Sequence, residues 1–203
     1  MLFILRGMKL KIIAFVGMPA SGKSEASNIA REMHIPVVTM GDVIRKEVAL
    51  RGADPADGGK IADSLRHEEG MDAVAKRCIP LIREAMEVNP SDILVIDGVR
   101  GISEVTFFRK ALGDEFLLVS IAIDSTIEER FDRIMLRRRG DDMNTIEGLR
   151  KRDELEISWG MGEAIKAADR TIENRGTLEE YRFRIRKLFE EMIREEQMKK
   201  SRN

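Results

Sequence analysis

Short apolar runs alternate along this chain with longer segments in which apolar and charged residues recur at helical spacing. The runs are rich in β-branched residues and too short for helices, so they predict strands. These strands lie at about 11–16, 36–40, 92–96, 116–123 and 169–173. The periodic segments predict helices at about 41–51, 57–87, 101–112 and 125–158. The pattern therefore predicts an α/β fold, with a five-stranded parallel sheet inside a three-layer α/β/α sandwich.

The last part of the chain predicts one further long helix. From Thr177 onward, apolar residues recur at three- and four-residue spacing. These residues are Leu178, Tyr181, Ile185, Leu188 and Met192. We expect their apolar face to close the sheet and the charged end of the helix to be solvated.

Composition limits the size and surroundings of the protein. The 203 residues, 43% of them hydrophobic, suffice for a single domain over 1–203. A net charge of −1 provides no global field that would attract nucleic acid or an anionic membrane, so neither is an expected partner. One cysteine, Cys78, rules out an intramolecular disulfide and suits a reducing cytoplasm, and Leu2–Leu5 is too short to span a membrane. We expect a cytoplasmic protein, and the oligomeric state stays unknown.

A glycine-rich segment directly follows the first predicted strand and precedes a helical segment. It reads GMPASGKS from Gly17 to Ser24, which is the G-x-x-x-x-G-K-S spacing of a phosphate-binding P-loop. The glycines let backbone N–H groups converge on phosphate oxygens, Lys23 adds a positive charge at the β- and γ-phosphates, and Ser24 offers a hydroxyl to Mg²⁺. The following helix points the positive end of its dipole at the same phosphates. The alternative is a glycine-rich turn without a ligand.

A second group of polar residues, Gly41, Asp42 and Arg45, comes directly after the second predicted strand. Ligands of parallel sheets bind outside the carboxyl ends of the strands, so a guanidinium one turn into this helix is placed to bind a second phosphate. The alternative for Arg45 is an ordinary arginine on a solvated helix face.

The third predicted strand ends in a carboxylate, Asp97, after four residues of buried type. This is the Walker B pattern, and we expect Asp97 to hold Mg²⁺, through water. Arg100 follows at the same edge of the sheet. It is a candidate for binding the acceptor phosphate, or alternatively for an ion pair with Asp97.

A stripe of arginines follows the fourth predicted strand. Arg130, Arg133 and Arg137 share one helical face because they recur at three- and four-residue spacing, and Arg150 comes on the next helix. Like charges so close together repel, which indicates a polyanion such as a transferring phosphoryl group between them. The alternative is an exposed helix on which Glu129 pairs with Arg133 and Asp141 with Arg137.

The motifs of this chain and their order resemble those of the adenylate kinase and related nucleoside monophosphate kinase family. These motifs are the P-loop, GD-x-x-R, DG-x-R, R-x-x-x-R and a later DD…R segment. The segment Ala168–Glu180, which includes Asn174, is more similar to dephospho-CoA kinase, whose last strand runs into a similar Asn-x-Gly turn beside the adenine. GMPASGKSE and SWGMGEAIKAAD resemble an archaeal adenylate-kinase-related family. The likeness spans nearly the whole chain and implies the P-loop fold of the nucleoside monophosphate kinases.

The resemblance implies ATP as donor, Mg²⁺ as its metal, and a small nucleotide such as AMP as acceptor. The implied donor-binding residues are Gly17, Pro19, Ala20, Ser21, Gly22, Lys23, Ser24, Glu25 and Asn174. The implied acceptor-binding residues are Gly41, Asp42, Arg45, Asp97 and Arg100. Catalysis would involve Lys23, Asp42, Arg133, Arg137 and Arg150, and the metal Ser24 and Asp97. Residues 41–90 would form a mobile acceptor-binding insertion and 137–152 a short lid.

Several functions stay open at this point. A phosphate acceptor attacks through an oxygen that is already ionised, whereas a hydroxyl acceptor, as in dephospho-CoA kinase, benefits from a base such as Asp42. We favour the phosphate acceptor because Arg45 and Arg100 would bind it. A nucleotide-binding regulatory protein and a hydrolysing P-loop NTPase are the two alternatives that are not kinases. The chain lacks the N-K-x-D sequence of GTPases and the LSGGQ signature of ABC ATPases.

Overall fold

The first strand, β1 (Leu10–Val16), is buried at all of its positions and lies in the middle of the sheet. The computed structural model describes residues 10–89, 91–113, 116–137 and 145–201. Within these ranges the other strands are β2 (Val37–Thr39), β3 (Ile93–Asp97), β4 (Phe116–Asp124) and β5 (Arg170–Glu173). Their order across the sheet is β2-β3-β1-β4-β5, and every neighbouring pair is parallel. The predicted five-stranded parallel sheet is therefore confirmed.

Helices connect successive strands and cover both faces of the sheet. They are α1 (Lys23–Glu32), α2 (Met40–Leu50), α3 (Gly58–Glu69), α4 (Ala73–Val88), α5 (Ile102–Ala111), α6 (Ile127–Arg137), α7 (Ile146–Ser158), α8 (Met161–Lys166) and α9 (Leu178–Lys200). On one face, α4, α5 and α8 bury apolar side chains against the sheet, and on the other face α1 and α9 do so. Phe15 of β1 meets Phe189 of α9 edge to face, with ring centroids 6.1 Å apart. These layers form the α/β/α sandwich.

The helices between β2 and β3 bury a small apolar cluster of their own, made of Val48, Ile61, Leu65 and Ala73. The sequence pattern predicts one continuous helical segment over 57–87, but the chain turns between α3 and α4. The helix α3 ends at Gly70, whose φ of 101° is not helical. Glycine occupies this position because a residue with a side chain would be strained in that conformation. The short helix α8 is a further difference, since its six residues are too few to show a clear period.

The sheet places the polar segments of the sequence at one edge. Parallel pairing brings the carboxyl ends of β1 and β3 side by side, and Thr39 at the end of β2 is in register with Asp97 at the end of β3. The P-loop segment, the start of α2 and the residues after β3 therefore surround one edge of the sheet. None of the described helices is both long and apolar enough to cross a membrane.

Candidate functional site

The segment between β1 and α1 has the backbone of a tight anion-binding loop. Gly17, Ala20 and Gly22 have positive φ angles of 154°, 59° and 117°. A Cβ atom on Gly17 would lie 2.7 Å from the Ser21 hydroxyl oxygen and 2.9 Å from the carbonyl oxygen of Ile123, so only glycine fits there. The Ser21 N–H donates to the carbonyl of Met18 at 3.1 Å, which closes the turn. The glycines of the predicted motif thus occupy positions that require them.

Lys23, the first residue of α1, folds its side chain back over the loop. Its Nζ donates to the carbonyl oxygen of Met18 at 3.0 Å and to that of Gly17. The pKa of Lys23 is lowered to about 8, mainly by burial and then by the nearby positive charge of Arg100, while the carboxylates of Glu156 and Asp97 act in the opposite direction. The ammonium is thus partly desolvated and would be stabilised by an anion.

The two serines of the loop differ in their surroundings. The Ser21 hydroxyl oxygen is buried and has no hydrogen-bond partner among the described residues, whereas Ser24 is exposed at the start of α1. A buried polar atom without a partner is uncommon and fits a site that is completed by a ligand. Glu25, which the resemblance assigns to the donor, pairs with Arg182 of α9. Gly17 donates its N–H to the sulfur atom of Met161 at 3.3 Å.

Asp97 and Arg100 lie on either side of the turn after β3. Asp97 is half-buried at the end of β3, and its negative charge is close enough to Lys23 to raise the pKa of that lysine. The side chain of Arg100 pairs with Glu156, which is fully buried, rather than with Asp97 as the alternative interpretation expects. The Arg100 N–H donates to Glu104 at 2.6 Å. Two glutamates far apart in sequence thus hold the position of this arginine.

Asp42 and Arg45 lie in the first turns of α2, directly after the strand residue that pairs with Asp97. Both side chains are exposed, and they form an ion pair across one helical turn. Gly41 lies beneath them, since a Cβ there would come within 3.3 Å of the Arg45 guanidinium. These three predicted residues are adjacent in the structure, at the edge of the sheet where the acceptor is expected.

The arginines of α6 contact the loop region from the side of β4. Arg130 is buried, donates to the carbonyl of Pro19 at 3.1 Å, and forms a two-pronged ion pair with Asp153 at 2.8 and 2.6 Å. Arg133 donates to the carbonyl of Asn174, and its other terminal nitrogen is buried without a partner in the described part of the chain. Burial lowers the pKa of Arg133.

The alternative of an exposed, self-paired α6 does not describe Arg130 or Arg133. Glu129 accepts the N–H of Thr126 at 2.8 Å and stays at its own end of the helix. Arg150 is exposed on α7. The side chain of Arg137 and the whole segment 138–144, which includes Asp141, lie outside the described residues, so the lid over 137–152 stays a prediction.

Asn174, expected beside the adenine, has a buried side chain that donates to the carbonyl of Ser21 at 2.7 Å. The described contacts thus place its amide against the phosphate loop. The backbone N–H of Asn174 donates to the carbonyl of Asp124 at 2.7 Å, which anchors the residue at the end of β4.

Arg100 belongs to a closed ring of contacts that the sequence does not predict. Glu104 accepts from Arg66 at 3.2 Å, and Glu156 accepts from Arg152 at 3.3 Å as well as from Arg100. The guanidinium carbons of Arg66 and Arg152 lie over the ring of Trp159, 4.9 and 5.5 Å from its centroid. Burial raises the pKa of Glu104. The Arg152–Glu156 pair had a local signal in the sequence, since its members are four residues apart on α7.

Comparison with known proteins agrees with this geometry. A family model described as "AAA domain" matches residues 16–150. A UPF0200 protein of Methanosarcina barkeri is 62% identical over 172 residues, which are 84% of this chain and 89% of that protein. A UPF0200 protein of Methanosarcina mazei is 60% identical over 179 residues, which are 87% of this chain and 92% of that protein.

Solved kinase structures have the same fold at low sequence identity. Dephospho-CoA kinase from Campylobacter jejuni aligns with a TM-score of 0.59 at 16% identity, over 93% of this chain and 100% of that one. Shikimate kinase from Acinetobacter baumannii aligns with a TM-score of 0.51 at 14% identity, over 95% of this chain and 98% of that one. These likenesses support a P-loop kinase fold. By its close relatives and its matched domain, the chain belongs to the UPF0200 proteins and to the AAA domain family.

Proposed function

We propose that this protein transfers a phosphoryl group from ATP to a small nucleotide-type acceptor, with a nucleoside monophosphate such as AMP as the leading candidate. The observation on which this proposal rests is the position of Lys23. Its ammonium lies on the carbonyls of the loop and is close enough to Asp97 and Arg100 for both charges to affect its pKa. One cation thus lies on the loop proposed for the donor phosphates and within electrostatic reach of Arg100, the arginine proposed for the acceptor.

The residues of the loop fit a magnesium-bound triphosphate. The buried Ser21 hydroxyl lacks a partner among the described residues, and Gly17 has a backbone that leaves no room for a side chain. The loop amides and Lys23 would bind the β- and γ-phosphates, while Ser24 and, through water, Asp97 would hold Mg²⁺. The bound metal would neutralise part of the phosphate charge.

Phosphoryl transfer requires mainly positioning and charge stabilisation from the protein. Arg133 would bind the transferring group through its buried terminal nitrogen, which has no partner among the described residues, and Arg137 and Arg150 are further candidates. A phosphate acceptor needs no base, and Arg45 and Arg100 would hold it. We also propose that the insertion 41–90 moves when the acceptor binds and that 137–152 closes over the donor.

Asp42 favours a second candidate, phosphorylation of a hydroxyl as in dephospho-CoA kinase. Its carboxylate is exposed at the start of α2, next to the strand ends, where it could accept a proton from a bound alcohol. Arg45 would then orient the base in addition to any role in acceptor binding. The two candidates differ in what Asp42 does and share the same donor site.

An assay with Mg·ATP radiolabelled at the γ-phosphate, a panel of nucleoside monophosphates and dephospho-CoA tests the proposal. Label that appears in a nucleoside diphosphate supports it, whereas label found only on dephospho-CoA supports the hydroxyl acceptor. Release of inorganic phosphate alone would indicate a hydrolase, and ATP binding without either product a regulatory protein. The variant Lys23→Met controls for contaminating kinases, because it removes the cation at the donor phosphates.

A further inference from the structure

The carbonyl groups of the phosphate loop are bound in a way that Lys23 alone does not explain. Every carbonyl from 17 to 22 except that of Ala20 accepts a hydrogen bond from a side chain. Lys23 donates to Gly17 and Met18, Arg130 to Pro19, Asn174 to Ser21 and Tyr181 to Gly22. Three of these donors come from outside the loop, and we call Arg130, Asn174 and Tyr181 the loop brace.

Holding a carbonyl also orients the next amide. In a trans peptide, the C=O of one residue and the N–H of the following residue point in opposite directions. The bound carbonyls therefore direct the N–H groups of Met18, Ala20, Gly22 and Lys23 away from their donors. These amides belong to the loop that would surround the phosphates.

Asn174 and Tyr181 fit closely against the last glycine of the loop. Gly22 has a φ of 117°, and a Cβ there would lie 2.5 Å from the Asn174 amide nitrogen and 3.0 Å from the Tyr181 ring. Both side chains are buried, with 5% and 1% of their surface exposed. A buried polar group is costly without a hydrogen bond, and the loop carbonyls at 2.7 and 3.0 Å meet that need. Burial also raises the pKa of Tyr181, which keeps its hydroxyl a donor.

Asn174 connects the loop to the arginine expected at the transferring group. Its carbonyl accepts from Arg133, its N–H donates to Asp124, and its side chain donates to Ser21. A displacement of this one residue would thus affect both the loop amides and Arg133. This arrangement requires no contact with the base of a nucleotide.

We propose that Asn174 and Tyr181 are positioning residues that hold the loop amides in the conformation that binds a triphosphate tail, independently of the base attached to it. The inference rests on the donor half of the proposed function. The inference does not depend on the acceptor. If the protein binds triphosphate but phosphorylates no acceptor, the proposed function fails and this inference does not.

The test compares binding of Mg·ATP with binding of magnesium tripolyphosphate, which has no base, by displacement of a fluorescent ATP analogue. Tyr181→Phe keeps the ring and removes one hydrogen bond, and Asn174→Ala removes another. We expect each variant to raise the Kd of both ligands by the same factor, about 3- to 10-fold, which is the effect of one lost hydrogen bond. Ile185→Val, a buried change one turn further along α9, should leave both affinities unchanged.

Three results would overturn the inference. Unchanged affinity for both ligands in Tyr181→Phe and Asn174→Ala would show that these two residues do not position the loop. A loss for Mg·ATP with none for tripolyphosphate would instead assign Asn174 to the base. An equal loss in Ile185→Val would show a general effect of α9 packing, and thermal unfolding of each variant would verify that all are folded.

Discussion

Arg100 donates from its guanidinium to Glu156, a carboxylate that solvent does not reach and that lies 56 positions later in the chain. The same carboxylate oxygen also accepts from Arg152, while its other oxygen is buried without a partner in the described ranges. One negative charge thus holds two guanidinium groups that would otherwise repel each other. Arg100 is therefore positioned by helix α7, whose first residues belong to the expected lid and whose Glu156 comes just after it.

We predict that Glu156→Gln, assayed well below pH 8 where Lys23 stays charged, raises the KM of the acceptor about tenfold and leaves the affinity for Mg·ATP nearly unchanged. The amide has no charge with which to hold both guanidinium groups, so Arg100 should lose its fixed position. Because hydrogen bonds to charged groups contribute about 1.5–3 kcal/mol, the free energy of unfolding in urea should fall by a similar amount. Glu154→Gln, at an exposed position of the same helix, is the matched control. Equal kinetics and stability in both variants would contradict this role of Glu156.

The lowered pKa of Lys23 predicts that triphosphate binding depends on pH. In the free protein the ammonium loses its proton near pH 8, and a bound triphosphate would raise that pKa again. Below pH 8 the charge is present in both states, so this group adds no pH dependence. Above it, binding must take up a proton, and the Kd should rise by up to about tenfold per pH unit. The free energy of unfolding of the ligand-free protein should instead rise as pH increases from about 8 towards 10.5, because in this range the unfolded chain binds the Lys23 proton more tightly than the native state does.

Titration calorimetry checks this prediction. Measurements above pH 8 in two buffers with different ionisation enthalpies would report the proton uptake directly. Lys23→Met should bind weakly and without the uptake, since the titrating group is gone. A wild-type Kd that stays flat from about pH 7 to pH 9.5 would rule the coupling out.

Asp42→Asn distinguishes the two acceptors. If the acceptor is a phosphate, we expect turnover to fall no more than about threefold, because only an exposed ion pair with Arg45 is lost. If it is a hydroxyl, loss of the base should reduce kcat by about 100-fold or more with substrate binding intact. Steady-state kinetics with the acceptor found in the transfer assay provides the measurement. Asp57→Asn is the control, because it breaks a similar surface ion pair, with Lys60, and should change neither kcat nor KM.

Gly17→Ala should damage the phosphate loop. A methyl group would lie 2.7 Å from the Ser21 hydroxyl oxygen and 2.9 Å from the carbonyl of Ile123, on a backbone with a φ of 154°. We expect a loss of at least about 1–3 kcal/mol of stability, measured by urea unfolding, and a weaker affinity for Mg·ATP. Gly162→Ala is the control, since a Cβ there meets no atom within 4 Å and its helical position favours alanine. Similar behaviour of the two variants would contradict the tight fit at Gly17.

The local elements could be predicted from the sequence because their signals are contiguous. The runs at 11–16 and 92–96 correspond to β1 and β3 within one residue at each end, since short β-branched stretches leave little choice of structure. The P-loop is also contiguous, and its glycines have the backbone angles that the spacing implies. The turn inside 57–87 was missed because amphipathic helices on both sides of Gly70 continue one apparent pattern.

Tertiary structure decided which of the predicted polar residues meet. Arg100 pairs with Glu156 and not with Asp97, and Asn174 lies against the loop, because partners 56 and 153 positions away become neighbours only when helices pack on the sheet. The sequence pattern predicts Tyr181 as one apolar position of a helix, but its hydroxyl also donates a hydrogen bond to the carbonyl of Gly22. The sequence by itself determined the strands, the parallel sheet and the phosphate loop, since these depend on local periodicity and spacing. The order of the strands, the ring around Arg100 and the brace behind the loop depend on long-range packing, which no local pattern encodes.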